Sequence, residues 1–153
     1  MIIQLRRLVP LLAFLLAACA GIDAAPTIEG TTFADSLGVN LAASTKTVDG
    51  MYYRDLTAGS GAAVAAGQTL SVHYTGWLVN GTQFDSNTGL AAFSFKLGAG
   101  QVIPGWDEGM SGVRVGSTRQ LIIPPALAYG PYQYGPIPPN SILVFTVQVD
   151  SAQ

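Results

Sequence analysis

Along much of this chain apolar and polar side chains alternate with a period of two, the pattern of a strand with one face on a core and the other in water. Leu70, Val72 and Tyr74 alternate with Thr69, Ser71, His73 and Thr75, and Leu143, Phe145, Val147 and Val149 share one face of a strand predicted over 142–149. Met51 to Leu56, Phe93 to Gly98 and Gly116 to Pro125 read as further strands. Asn80-Gly81 marks a hairpin turn, since both residues accept positive φ. The stretch Val102 to Met110 breaks the alternation. Pro104 suits a first helical position and Asp107 and Glu108 put negative charge in the first turn, so a short helix is predicted, limited by Gly109 and Gly112 to about two turns. A helix this short needs a sheet to lie in, and Trp106 gives it a large ring to present. Several strands and one short helix make an antiparallel α+β domain.

The N-terminus follows another pattern. Arg6 and Arg7 precede the apolar run Leu8 to Ala18, which at eleven residues is short of the ~20 that span a bilayer. This is the pattern of a secretory signal peptide over 1–18. It ends in Leu16-Ala17-Ala18-Cys19, which resembles the lipobox of bacterial lipoproteins, where cleavage before the cysteine leaves it lipidated. Cys19 is the single cysteine, so no intramolecular disulfide forms. The alternative is ordinary cleavage near Ala20 or Ala25, giving a soluble secreted or periplasmic protein. Residues 19–45, rich in Ala, Gly, Thr and Ser, read as the lipidated cysteine and a flexible tether; Phe33, Leu37, Val39 and Leu41 are the residues by which part of it can lie along a domain over 46–153.

Charge narrows the partners. Of seven basic residues, removing Arg6 and Arg7 leaves five against nine acids, near −4 with His73 neutral and the amine acylated. Neither nucleic acid nor direct docking on anionic lipid suits such a chain, so membrane contact is expected through the lipid alone. The lone His73 has no motif around it and reads as a solvated strand residue. There is no Gly-x-Ser-x-Gly nucleophile motif, and Gly98-Ala99-Gly100 is too little for a nucleotide loop.

Five motifs in order carry a resemblance: Val72-His73-Tyr74-Thr75-Gly76-Trp77-Leu78, Asn80-Gly81-Thr82-Gln83-Phe84-Asp85-Ser86, Val102-Ile103-Pro104-Gly105-Trp106, Ala128-Tyr129-Gly130, and Ile137-Pro138-Pro139-Asn140 with Leu143-Val144-Phe145. Together they resemble the FK506-binding (FKBP-type) peptidyl-prolyl cis-trans isomerases over about two thirds of the chain, Thr47 to Val149. The resemblance implies a curved antiparallel β-sheet wrapped over one short α-helix, a monomer, and catalysis of Xaa-Pro rotation in exported or envelope proteins, with a role in their folding. It implies proline-containing polypeptides as partners and extends to FK506-like macrolides. An outer-membrane location would suit Ala20 after Cys19 in a Gram-negative cell.

That chemistry asks for no nucleophile, metal or cofactor. The amide loses resonance as it twists over a barrier of about 18–20 kcal/mol, and the twisted state, with less charge separation, is favoured in a dry aromatic cavity. By the resemblance Trp106 is the cavity floor, with Tyr74, Phe84, Phe93, Val102, Ile103, Ile137 and Phe145 as walls. Tyr129 is similar to the family's hydroxyl donor to a substrate carbonyl, the Ile103 N–H to a second donor, and Asp85 to the carboxylate at the rim. The chain also departs from the pattern. The loop Ser86 to Ala92 is one residue shorter than in compact eukaryotic members and lacks the arginine that in many relatives pairs with the pocket aspartate. The flap Pro131 to Ile137 has Gln133 where those relatives carry histidine, Pro136 where a second isoleucine is usual, and Tyr132 and Tyr134 in place of smaller residues. The floor is intact and the rim altered, so the alternative to an isomerase is a non-catalytic proline-binding or chaperone module.

Overall fold

The computed structural model describes residues 25–153; the signal segment 1–18 and Cys19 lie outside the described residues. Seven strands form one antiparallel sheet: β1 (Thr45–Lys46), β2 (Tyr52–Thr57), β3 (Thr69–Leu78), β4 (Gln83–Ser86), β5 (Phe93–Lys96), β6 (Thr118–Ile123) and β7 (Leu143–Ala152). Their spatial order is β1-β2-β6-β7-β3-β4, with β5 also on β3. The ten-residue β3 therefore holds β7 along one edge and shares its other edge between β5, opposite 69–72, and β4, opposite 75–77. This is the antiparallel α+β architecture expected from the alternation, with the single short helix that the resemblance also implies.

The single α-helix among the described residues, α1 (Pro104–Gly109), lies across the inner face with Pro104 at its first position. Gly109 does more than end it. A Cβ on Gly105 would meet Ile123 Cγ2 at 2.5 Å, and one on Gly109 would meet Met51 Cε at 2.6 Å and Leu121 Cδ2 at 2.7 Å. Four residues apart, these glycines share a face, so the helix backbone itself rests on β6. Trp106 and Met110 are buried beside it, and Leu70, Val72, Leu121, Ile123, Leu143, Val147 and Val149 complete the inner core. Asp107 carries a structural duty beyond the dipole: its carboxylate accepts from the Gly98 N–H at 2.8 Å and the Gly100 N–H at 3.0 Å, tying the turn after β5 to the helix. At the β3–β4 turn Gly81, but not Asn80, takes positive φ; Asn80 instead accepts from the Thr82 N–H through its side chain.

The outer face differs from expectation. Composition predicts a tether as far as residue 45, yet 26–44 is packed on the sheet. Ile28 is buried with Tyr52, Ile122, Ile142 and Val144, and Phe33, Leu37, Val39, Leu41 and Val79 lie against them. Polar ties hold the strap: the Gln120 side chain donates to Leu37 O at 2.7 Å, Arg54 to Gly38 O at 2.9 Å, and the Ala34 N–H to Val79 O at 2.8 Å. Glu29 pairs with Lys46 and accepts from the Tyr52 hydroxyl. The physical reason is that Tyr52, Ile122 and Val144 point away from the inner core and need a cover, which sparse apolar residues on a bent chain supply without any regular period.

His73 is not simply solvated. Its Nδ1 lies 2.6 Å from Asp150 Oδ2 and its Nε2 3.0 Å from Leu90 O. Both partners accept hydrogen bonds, so the geometry suits the protonated ring, in which both nitrogens donate; the bond to Leu90 O, then Asp150, raises its pKa.

Candidate active site

The inner-face core opens at one end into a cavity of about 250 Å³ walled by aromatic rings. Trp106 lies at its base, 4% exposed, packed edge-on against Tyr74 (centroids 5.1 Å), Phe145 (5.4 Å) and Phe95 (5.5 Å). Phe84 from β4 meets Phe145 from β7 at 5.5 Å and 87°. Gly76 makes room for that pair, since a Cβ there would sit 2.7 Å from both rings. Phe93 stacks on Phe95 at 5.9 Å and leaves its own ring exposed at the rim. Val102 and Ile103 enter from the turn that Asp107 fastens.

Polar groups are few and placed at the edge. The Tyr74 hydroxyl donates to Asp85 Oδ2 at 2.7 Å; burial first, then this carboxylate, raises its pKa well above the usual phenol value. Tyr129, half buried, is raised by burial and then by Tyr134 and Asp85, so it stays a protonated donor at neutral pH. Its hydroxyl, the Ile103 N–H and the buried Trp106 Nε1–H make no hydrogen bond among the described residues. Unpaired donors at a ring-walled cavity are groups that a bound carbonyl can pair.

Of the residues expected at the site, Tyr74, Phe84, Asp85, Phe93, Val102, Ile103, Trp106, Tyr129 and Phe145 come together around this cavity. Ile137 does not: at 3% exposed it is packed into the core. Its two-residue hairpin with Tyr134 turns the side chain inward. Gln101, not foreseen from the sequence, lines the cavity, as does Tyr134, expected there as a change to the rim; Tyr134 stacks on Tyr129 with centroids 4.1 Å apart. The loop 86–92 is held without the missing arginine. Asn87 accepts from the Tyr74 N–H at 2.7 Å and donates to Val72 O and Ala91 O, while His73 holds Leu90 O. A larger cavity, about 360 Å³, lies on the outer face beside His73, lined by Tyr74 and Trp77 with Thr75, Thr118, Thr146 and Gln148. Two aromatic residues among hydroxyls and amides do not make the box of rings that surrounds Trp106.

Comparison with known proteins agrees with this geometry. The family model described as FKBP-type peptidyl-prolyl cis-trans isomerase matches residues 61–150. The chain belongs to this family. It is 44% identical over 102 residues to the FK506-binding protein of Neisseria meningitidis, covering 65% of this chain and 94% of that one. It is 48% identical over 106 residues to FK506-binding protein 4 of Mycosarcoma maydis, covering 69% of this chain and 28% of the relative. The chain thus spans about a quarter of the length of such fungal relatives. Among solved structures, FkpA from Escherichia coli matches with a TM-score of 0.66 and 38% identity over 72% of this chain and 52% of its own. AtFKBP13 matches with a TM-score of 0.66 and 35% identity over 72% and 98%. The FKBP match begins at residue 61, so the strap over 26–44 lies outside it.

Proposed function

We propose that the aromatic cavity catalyses cis-trans rotation of Xaa-Pro bonds in polypeptides. The observation that carries this is a ring-walled cavity of about 250 Å³ with an unpaired Trp106 Nε1–H at its base and the Tyr129 hydroxyl and Ile103 N–H among its lining. A proline ring seats against Trp106, and the amide twists in surroundings that stabilise its less polar transition state better than water does. Tyr129 Oη and the Ile103 N–H hold the flanking carbonyls, and Asp85, oriented by Tyr74, sits at the rim. FK506-like macrolides are expected to compete for the same cavity.

A protease-coupled assay on residues 20–153 with Xaa-Pro-Phe peptides tests this. The expected result is a rate at least about tenfold above background, equal to ~1.4 kcal/mol off the barrier, lost in a Tyr129→Phe, Asp85→Leu double variant. A folded protein that binds such peptides without accelerating them supports the second reading, a proline-binding module, which the bulky flap and the missing loop arginine favour.

Leu16-Ala17-Ala18-Cys19 supports a lipid-anchored life in a bacterial envelope, facing the periplasm, and two or more acyl chains hold stably where one does not. Mass spectrometry of the mature N-terminus tests this: acylated Cys19 is expected, and a free N-terminus at Ala20 or Ala25 overturns it in favour of a soluble secreted protein.

A further inference from the structure

Tyr129 has a weakness as a catalytic donor. Its hydroxyl has no hydrogen-bond partner among the described residues, so nothing polar fixes where the ring points. A donor helps a transition state only if it is already aimed. The core packs against its ring on one side, and the flap restrains the other. Tyr134 lies flat on the Tyr129 ring, centroids 4.1 Å apart and planes within 7°. Tyr134 is itself 58% exposed, so burial of its own surface does not account for the pose.

The flap holds it there. The Tyr134 N–H donates to Ile137 O at 3.0 Å and the Ile137 N–H returns to Tyr134 O at 2.9 Å. Ile137 is sunk in the core at 3% exposed. At the base of the flap the Asn140 N–H donates to Gly130 O at 2.8 Å. Ile137 thus anchors a short hairpin whose free arm carries a ring onto the pocket hydroxyl's ring. Tyr132, on the same flap and 75% exposed, stacks on no ring among the described residues.

We propose that Tyr134 is a positioning residue that fixes the plane of Tyr129 and so aims its hydroxyl at the substrate carbonyl. This rests on the isomerase reading above. It predicts that Tyr134 acts through the Tyr129 hydroxyl and not through substrate.

A double-variant cycle tests it. Tyr134→Ala should lower kcat/KM about tenfold, within what misplacing one group costs, with most of the loss in kcat, and Tyr134→Phe, which keeps the ring, should recover most of the rate. In a Tyr129→Phe background Tyr134→Ala should change nothing further. An equal loss in that background, or no loss in the wild-type one, overturns the proposal. NMR of the tyrosine rings gives a readout independent of turnover. The Tyr129 ring signals, shielded by Tyr134 in the native protein, should move downfield in Tyr134→Ala; unmoved signals overturn the stack. An inactive wild-type protein with the stack intact would defeat the isomerase reading and the aiming role with it, which separates that failure from the loss of the stack.

Discussion

The two faces of one sheet are covered in opposite ways. On the inner face the cover is a six-residue helix whose glycines touch β6, and the rings around it stop short of filling the end of the core. On the outer face the cover is an irregular strap, with Ile28 at 2% exposed over Tyr52, Ile122 and Val144. Both draw on alternating residues of the same strands. A regular element brought close by small residues leaves a void walled by rings, whereas the cavity left beside the strap, about 280 Å³ among Pro26, Thr31, Val79 and Ile142, has no aromatic wall. Function sits on the rigid side.

The largest effect expected from breaking this contrast is loss of the strap. A chain beginning at Thr45 exposes four apolar side chains and discards Ile28, and burial of such groups stabilises by roughly 1.5–3 kcal/mol each. Urea unfolding should show a loss above about 4 kcal/mol, with Ile28→Ala, at about 2–4 kcal/mol, as the milder version. In either variant kcat/KM per folded molecule should stay unchanged, because no strap residue lines the aromatic cavity. A loss of activity without a loss of stability would break the division between the faces.

Next is an inner-face change. Gly76→Ala forces a Cβ to within 2.7 Å of Phe84 and Phe145; overpacking of this kind costs about 1–3 kcal/mol. Unlike the strap variants it should also weaken proline-peptide binding, read by titration calorimetry. Smaller still is Asn87→Ala, which leaves the Tyr74 N–H unpaired at a cost of about 1–3 kcal/mol when fully buried and less here, where it is half-buried, and should loosen the 86–92 loop in hydrogen exchange.

The smallest effect is a pH dependence. His73, held by Leu90 O and Asp150, has its folded pKa raised above 6.5. Its stabilisation is therefore complete below that value and lost as pH rises through the folded one. Thermal midpoints between acid and alkaline pH should fall toward the alkaline end in the native protein relative to His73→Gln. Glu29 works in the other direction: Lys46 holds its pKa at about 2, so its contribution is present above the ordinary carboxylate value of 4.5 and lost as pH falls.

How much of this was legible in the sequence depends on whether a residue's role follows from its neighbours in the chain. Pro104 at a helix start and the alternation through β3 and β7 are local signals, and they placed the helix and both long strands. The ring cluster followed from motif order. What escaped was non-local. Phe33 and Leu37 stand out in the sequence as residues able to lie along the domain, but Ile28 does not, because the strap follows the relief of Tyr52, Ile122 and Val144 and not a repeating backbone. Ile137 reads as a wall and is an anchor, because a hairpin of two hydrogen bonds decides its direction. His73 reads as solvated because Asp150, 77 residues away, gives no hint of itself beside it. The double duty of Gly109, ending the helix and touching Leu121, is visible only when the sheet is in place.

The strap also sets an order of events. Leu37 finds Gln120 across 83 residues of chain, and contacts of such separation form late because the intervening loop must first be closed. A polypeptide made or exported from its N-terminus delivers Ile28 and Phe33 first and Val144, on the last strand, near the end. The strap, which emerges before the strands it covers, is thus among the last to dock, and until β7 is delivered its apolar side chains wait for a surface that is incomplete.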